Sequence, residues 1–373
     1  MNDLESIIDY CRCRQTACFG SVVADPTGIT TAEEFLVFYR QNWFEFIHWG
    51  RGQVVSLDWL RHQFSDSQLM AAGIYLTGNH TVSGEVIAGG CARLLHKGGG
   101  RVVAVGHSVV RVYGNAKVDA YGHCVVHIDG DAEVAAYGHV SVHAHSGRVD
   151  VYLGGRSRLL ADTHVSVIAD RHSTGICRCS GDIELLGNAS FTLKGDMQAT
   201  LRGDSSAVLR DRATAVLYDR SRVRAHAMTR VTAYGDSYVR AQGSSRVELH
   251  EHAVADLFNA SCGVSSDMSL VLCHSPETGP PSGDGLVLLT GLVQLEGTSP
   301  SLVAEAFSSH RECELFLGRL CRLFRQRYTP DRDEFLPSGL YMSAADRFIS
   351  LEIFDRAVSD GSRLRLDRPL VKP

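Results

Sequence analysis

Long apolar runs, strong charge of one sign and a regular cysteine spacing are all missing from this sequence. No stretch approaches the roughly eighteen apolar residues that span a bilayer, so no membrane segment is predicted. The formal net charge of −5 is too small to favour nucleic acid or a membrane surface as a partner. The eleven cysteines are odd in number and irregularly spaced, as expected for reduced thiols. With Asp3, Glu5 and Asp9 in place of a basic leader, the sequence predicts a cytoplasmic protein.

Motifs that define a specific chemistry are missing as well. The glycine run from Gly98 to Gly100 lacks the Lys-Ser/Thr pair of a phosphate-binding loop, so it is interpreted as a chain corner. No group of histidines or cysteines has the spacing of a known metal motif, and no cofactor is predicted. The fold, and not a motif, is therefore the main source of information about function.

The chain is organised around an eight-residue repeat, here called the octad, between Gly106 and Phe258. Nineteen octads follow one another, and the one at 146–154 is a residue too long. In the copy at 114–121, a glycine, a polar residue and a small residue precede a stretch with Val and Ala at the fifth and seventh positions. These two positions are apolar in almost every octad, whereas their neighbours vary and are often charged. The alternation indicates a strand with one buried face, and the repetition predicts a mainly β protein, a parallel β-solenoid.

The inward positions of the octads compensate one another in volume. Alanine at the fifth position is followed by leucine at the seventh, and valine at the fifth by alanine at the seventh. The examples are Ala199 with Leu201, Ala207 with Leu209, Ala215 with Leu217, Val223 with Ala225, Val231 with Ala233, and Val239 with Ala241. Because a packed interior needs a nearly constant volume per layer, these positions are predicted to form the core.

The number of octads in each coil is predicted from the outward residues. Similar residues recur every sixteen positions: His107, His123 and His139; Tyr121 and Tyr137; His127 and His143. Two octads, or sixteen residues, per coil is therefore the prediction, and the small inward residues suit two sheets about 10 Å apart. Three octads per coil is the alternative, because the alanine-leucine and valine-alanine blocks change every three octads.

Residues 1–72 lack the repeat and are predicted to form a helical, aromatic-rich cap. Thr31 and Glu34 form a capping box that opens an aromatic-rich helix, and a second helix is predicted from Ser56. Helical caps shield the open edge of a solenoid's first coil. The alternative is a recognition module, for which the partner-binding candidates are the three tryptophans, Trp43, Trp49 and Trp59.

The rest of the chain is divided by its composition. Residues 73–270 are assigned to the solenoid, 271–300 to a proline- and glycine-rich linker with short strands, and 301–373 to a helical region. Helices are predicted over 301–328 and from Ser343 onwards, so that the solenoid carries α-helical caps at both ends. The first of these C-terminal helices contributes further partner-binding candidates, Arg319, Arg322 and Arg325.

Histidines on the outer face suggest a weak metal site. His127 and His143 are one predicted coil apart, and His145 lies beside them. Three imidazoles can bind Zn²⁺ or Cu²⁺. Polar residues on the outside of a solenoid are expected from the repeat alone, so no metal is favoured. Cys11, Cys13 and Cys18 form a second weak thiol or metal candidate.

A surface reaction centre is the other hypothesis that the residues leave open. Asp162 and Asp170 are one octad apart, and His164 and His172 follow them. Paired carboxylates near histidine can perform general acid-base chemistry, as in polysaccharide-cleaving β-helices. Coils of two octads would place the two carboxylates on different faces, which disfavours this arrangement.

With its glycine-polar-small corners and Val/Ala interior, the stretch from Gly73 to Phe258 resembles short-period bacterial and phage β-solenoids. That class includes bactofilin-like and pentapeptide-repeat proteins, although the period of eight differs from the five residues of pentapeptide repeats and the six of hexapeptide acyltransferases. The resemblance implies architecture and carries over no catalytic residue. We therefore expect a non-enzymatic interaction or scaffold protein that binds a protein partner or itself. The alternative is an enzyme or effector with a surface His/Asp site, such as a carbohydrate-active β-helix.

Overall fold

The computed structural model describes residues 3–47 and 54–258 and, in the C-terminal part, the short pieces 261–265, 269–273, 282–283, 286–290, 337–342 and 347–350. The chain divides into two compact units, Met1–Gly181 and Asp182–Pro373. The predicted parallel β-solenoid is confirmed, with about 12 turns of 16 residues each. No helix in the described ranges is long and apolar enough to cross a membrane.

The first unit begins with short helices. They are α1 (Leu4–Phe19), α2 (Ala32–Gln41), α3 (Trp43–Ile47), α4 (Leu57–Gln63) and α5 (Asp66–Ala71). The capping box predicted at Thr31 and Glu34 opens α2, and Ser56 caps α4 as expected. The aromatic-rich segment is not one continuous helix, because Asn42 ends α2 and α3 follows it.

The strands of the first unit follow directly on α5. They are β1 (Ile74–Tyr75), β2 (Asn79–Val82), β3 (Val86–Ala88), β4 (Arg93–Lys97), β5 (Arg101–Gly106), β6 (Val109–Tyr113), β7 (Ala116–Gly122), β8 (Val125–Asp129), β9 (Ala132–Gly138), β10 (Ser141–Ser146), β11 (Val149–Gly155), β12 (Arg158–Ala161), β13 (Val165–Ala169) and β14 (Thr174–Leu185), which continues into the second unit. Odd-numbered strands pair with odd ones and even with even, always parallel, so the chain alternates between two stacks of strands.

The register of these stacks confirms sixteen residues per coil. Val118 pairs with Val134, sixteen residues later, while the long octad makes Val134 pair with Val151. Inward side chains such as Val118, Ala120 and Val134 are at most 1% exposed. The first coil is shorter, since Ile74 already pairs with Ile87, thirteen residues later.

Most strands of the second unit also pair in parallel, and the last two join by antiparallel pairing. Its strands are β15 (Ser190–Leu201), β16 (Ser206–Leu209), β17 (Thr214–Leu217), β18 (Arg222–Ala225), β19 (Arg230–Ala233), β20 (Tyr238–Gln242), β21 (Arg246–Leu249), β22 (Val254–Phe258), β23 (Ser261–Ser265), β24 (Leu270–Cys273), β25 (Ser282–Gly283), β26 (Leu286–Thr290), β27 (Pro337–Met342) and β28 (Arg347–Ser350). Ala215 pairs with Val231 and Leu217 with Ala233, so a small residue in one layer stacks on a larger one in the next. The predicted compensation of volume is thus present.

The helices pack on an outer face of the solenoid. In β5, Val102 and Ala104 point inward and Val103 and Val105 point outward. The two outward valines are nevertheless only 2% and 3% exposed. They belong to one hydrophobic cluster with the helical residues, and outward Ile87 joins the same cluster. The helical segment therefore covers the outer face of the odd-numbered stack near β3 and β5. The sequence predicts only that the helices shield the open edge of the first coil.

The C-terminal region differs from the prediction where it is described. A helix was predicted from Ser343 onwards, but β28 forms an antiparallel pair with β27, so the prediction is wrong for residues 347–350. Phe348 and Ile349 have high β propensity, and the adjacent strand supplies hydrogen-bond partners. The predicted helix at 301–328 lies outside the described residues.

Candidate functional site

Three tyrosines form a row on the outside of the odd-numbered stack in the first unit. We call Tyr121, Tyr137 and Tyr152 the aromatic ladder. The ring centroids of Tyr121 and Tyr137 are 5.1 Å apart with planes at 5°, and those of Tyr137 and Tyr152 are 5.3 Å apart at 45°. All three side chains are half-buried. The first pair follows from the register, because Tyr121 and Tyr137 are directly paired in neighbouring strands.

A glycine shapes the lower end of the aromatic ladder. Gly154 pairs with Tyr137 in the register and has no side chain, so the Tyr152 ring can occupy the space next to Tyr137. A Cβ atom at Gly154 would lie 3.2 Å from the Tyr137 ring and 3.3 Å from the Tyr152 ring. The octad consensus alone would not reveal this arrangement, because the extra residue of the long octad shifts Tyr152 from the inward seventh position to the outward sixth.

Charged and aromatic groups bound the upper end of the aromatic ladder. The Arg101 Nε atom donates to Asp119 Oδ2 at 2.7 Å, and the guanidinium lies 4.9 Å from the centre of the Trp43 ring. Asp119 is 6% exposed, so this ion pair is largely shielded from water on the carboxylate side. Trp43 in turn contacts Tyr121, with centroids 5.6 Å apart. The helical segment and the aromatic ladder therefore form one continuous surface.

The hydroxyl groups of Tyr121 and Tyr137 are held in their neutral form. Burial raises the pKa of Tyr121, and the nearby Asp119 and Tyr137 raise it further against the opposing effect of Arg101. Burial also raises the pKa of Tyr137, with Tyr152 and Asp119 adding to the effect. A neutral phenol can donate a hydrogen bond to a partner but is a poor base or nucleophile at neutral pH. The chemistry of this surface therefore suits binding.

The tryptophans proposed as partner contacts have different environments. Trp43, a partner-binding candidate, is 4% exposed and packs inside the hydrophobic cluster, so it offers little surface to a partner. An aromatic ring at that position stabilises the junction of helix and sheet by excluding water. Trp59 is half-buried and stacks on Tyr10 with centroids 4.5 Å apart. Trp49 and the arginines Arg319, Arg322 and Arg325 lie outside the described residues.

The three candidate histidines come together as expected but do not converge on a point. The rings of His127 and His143 stack at 4.8 Å, and His127 Nδ1 lies 3.3 Å from His145 Nε2. Burial lowers the pKa of His127 and His143, and the neighbouring imidazoles lower it further. Within the described residues, no group of three or more His, Cys, Asp or Glu side chains has a geometry that could hold a metal ion.

The corner histidines form a second stack in the first unit. His107, His123 and His139 are exposed, and neighbouring ring centroids are 5.3 and 4.9 Å apart. Each backbone N–H bonds to a corner glycine carbonyl of the previous coil, for example His123 to Gly106 at 2.9 Å. The stack is therefore a product of corner geometry.

The predicted acid-base pair is already engaged in structural contacts. Asp162 lies 3.8 Å from the Arg178 guanidinium, and Asp170 accepts a bond from the backbone N–H of Arg171 at 2.5 Å. Asp170 follows a strand of the odd-numbered stack, whereas Asp162 follows β12 of the even-numbered stack. The two carboxylates thus belong to different faces, as the sixteen-residue coil requires.

The N-terminal cysteines differ in environment and have no common function in the structure. Cys11 is fully buried and its pKa is raised by burial to about 12, while Cys13 is exposed and Cys18 is half-buried. A buried thiol with a raised pKa is unreactive at neutral pH. Cys177 is buried at an inward position of β14.

The second unit has an aromatic row of its own. Tyr218, Tyr234 and His250 stack in sequence with centroids 5.4 and 4.6 Å apart, and Arg202 lies 4.7 Å from the centre of the Tyr218 ring. All three rings are half-buried. Rows of stacked side chains are therefore a property of the outward positions in both units.

Comparison with known proteins identifies no relative of this chain. No protein-family model matches it, and neither a search of curated proteins nor a search of solved structures finds a match.

Proposed function

We propose that the protein is a non-enzymatic interaction or scaffold protein that binds a protein partner, or a second copy of itself, through the aromatic ladder. The observation that carries this proposal is the stacked, half-exposed pair of Tyr121 and Tyr137, which lies beside the helical segment. Tyrosine is enriched at the energetically dominant positions of protein interfaces because it offers a large contact area and one hydrogen-bonding group.

Rigidity is the physical advantage of this surface. The parallel strands hold the tyrosines at the spacing of neighbouring strands, about 4.8 Å, and the stacked rings restrict each other's rotation. A surface that is ordered before binding loses less side-chain entropy when a partner docks. This preorganisation supports a docking role.

The alternative, an enzyme or effector with a surface His/Asp site, has weaker support. Asp162 contacts Arg178, Asp170 bonds to the backbone of Arg171, and the two aspartates belong to different faces. A reaction centre needs a nucleophile or base that converges with a group for the developing charge. For location we propose the cytoplasm, since the seven cysteines whose side chains the structure describes are all free thiols.

A matched pair of tyrosine variants tests the proposal. Tagged protein is purified from its own host as wild type, Tyr137→Ala and Tyr113→Ala, and the bound proteins are quantified by mass spectrometry. Tyr113 is the control because it is 38% exposed on the even-numbered stack of the same unit. We expect Tyr137→Ala to weaken binding of the partner or second copy by about tenfold or more, as for an interface hot spot, and Tyr113→Ala to have little effect.

The two variants also define the contradicting result. If both retain the wild-type set and amount of bound protein, the aromatic ladder is not a binding surface. A urea unfolding curve of each variant verifies that any loss of binding occurs in folded protein.

A further inference from the structure

Four arginines lie together on one face of the second unit. They project from, or directly follow, the strands β16, β18 and β20, and we call them the arginine face: Arg210, Arg222, Arg224 and Arg240. Arg224 and Arg240 are register partners in neighbouring strands, and Arg222 precedes Arg224 by two residues on the same strand face. All four side chains are exposed, and His226 lies among them half-buried.

The acidic residues of the surrounding coils are engaged elsewhere. Asp196 binds Arg212 at 2.8 Å and Asp204 binds Arg220 at 2.8 Å, both at corners of the coil. Other corner carboxylates accept backbone bonds, as Asp219 does from the N–H of Gly203. None of the nine ion pairs among the described residues includes a member of the arginine face. The corner carboxylates are thus bound within the corners, away from the arginine face.

The local electrostatics are those of a cationic surface. Burial lowers the pKa of His226, and the charges of Arg210, Arg224 and Arg240 lower it further. One carboxylate, Asp256, lies beside Arg240 in the register and accepts a hydrogen bond from the Tyr238 hydroxyl. The excess positive charge therefore extends from Arg210 to Arg224 and is only partly balanced at the Arg240 end.

We propose that the arginine face binds an extended acidic segment of a protein partner. Guanidinium groups bind carboxylates through two parallel hydrogen bonds, which favours arginine at such sites. Alternate side chains of an extended peptide are about 6.6 Å apart, the same spacing as the outward side chains Arg222 and Arg224 along β18. Acidic residues two positions apart can therefore each meet an arginine.

The same face is less suited to single-stranded nucleic acid. Binding of that class combines cations with aromatic rings on which bases stack. Here the Phe258 ring is covered by the Arg240 guanidinium at 4.7 Å, and the Tyr238 hydroxyl is bonded to Asp256. The carboxylate ligand is therefore the one that the observations favour.

This inference rests on the proposed protein-binding function for the class of partner, but it uses a separate face and a defined ligand. The probe is a fluorescently labelled peptide that alternates Glu and Ser, measured by anisotropy against the full-length protein. The matching peptide of Gln and Ser and an oligothymidylate are measured beside it. We expect the acidic peptide to bind, its affinity to fall with salt, and the other two probes to bind at least about tenfold more weakly.

Matched double variants assign the site. Arg224→Gln with Arg240→Gln removes two charges from the arginine face, and Arg212→Gln with Arg220→Gln removes two from the corners of the same unit. We expect the first pair to weaken peptide binding about tenfold or more and the second pair to change it less than about threefold. Equal losses in both pairs, no binding of the acidic peptide, or tighter binding of the oligothymidylate would each overturn the inference. None of these outcomes bears on the aromatic ladder, which is tested by Tyr137→Ala.

Discussion

Corner residues show how single side chains let the coil turn. Gly122 has a φ of +87°, the left-handed region that glycine enters without strain. In the second unit, Asp211 and Asp219 adopt the same region with φ of 62° and 58°. Their carboxylates accept hydrogen bonds from the N–H groups of Gly195 and Gly203 in the preceding coil. Aspartate can therefore replace glycine at a corner because the bond offsets the conformational strain.

A charge at an inward position is predicted to unfold the solenoid. Val134 is 1% exposed and pairs with Val118 and Val151, so Val134→Asp buries a carboxylate without a partner. We expect a loss on the order of 4 kcal/mol, seen as a large drop in the urea midpoint or as insoluble protein. Ser141→Asp is the control, because Ser141 faces outward beside Arg158. An unchanged urea midpoint for Val134→Asp would show that the position is not in the core.

The stacked histidines predict a loss of stability in acid. The pKa of His127 and His143 lies below 6.5 in the folded protein, so the folded state binds fewer protons than the unfolded state. The contribution of His127 and His143 to the free energy of unfolding is complete above pH 6.5. It falls as the pH drops toward their pKa values in the folded protein, and it levels off below those values. His145 and Arg111 oppose protonation of His127, and Asp129 favours it.

The measurement is the urea midpoint across this pH range. We expect wild type to lose stability below about pH 6.5 and the double variant His127→Gln, His143→Gln to lose less. Replacing the corner histidines His107 and His123 with Gln gives a control of equal composition. If the two double variants change the pH slope equally, the lowered pKa values of His127 and His143 are not its cause.

At the scale of elements, the helices and the first coils form one cooperative piece. Val103 of β5 is an outward residue, but it is buried in the cluster that contains Phe35 and Leu36 of α2. The Tyr39 hydroxyl donates to the Val55 carbonyl at 2.7 Å, which ties α2 to the segment before α4. A helical segment held in this way depends on the apolar outer face of β5.

A charge on that outer face is predicted to release the helices. Val103→Asp places a carboxylate between β5 and the helices, which we expect to cost about 3 kcal/mol. Hydrogen exchange of α2 to α5 should become faster, while β7 and β9 remain protected. Val109→Asp is the control, since Val109 is half-buried on the even-numbered stack and pairs with Arg93. Wild-type protection of α2 to α5 in Val103→Asp would refute the packing argument.

The elements differ in how well the sequence predicts them. The octad strands are predictable because the period-two pattern is repeated in every copy. The helices α1 and α5 were not singled out, although Asp3 and the Ser65–Gln68 capping box mark their starts. The docking of the helices was signalled only by Val103 and Val105, which break the apolar-polar alternation. Such a signal indicates that an outer face is covered, but it does not identify the element that covers it.

At the scale of the whole molecule, the repeat specifies architecture more fully than function. Inward residues are constrained by packing, so their pattern predicts the sixteen-residue coil seen in the pairing of Val118 with Val134. Outward residues are constrained only by partners and solvent. The aromatic ladder depends on the extra residue of the octad at 146–154 for its last member. Its ring contacts join neighbouring coils, so no single octad contains them. Function is therefore proposed from the assembled surface.

The central claim is that this protein works by binding another protein chain, and native mass spectrometry of protein purified from its own host tests it most directly. The account predicts a complex heavier than the 40.7 kDa chain, made with a protein partner or a second copy and containing no stoichiometric metal. Tyr137→Ala should shift that complex toward the free chain, and Tyr113→Ala should leave it intact. A 40.7 kDa monomer that carries stoichiometric zinc, and loses it on His143→Ala, would contradict the account.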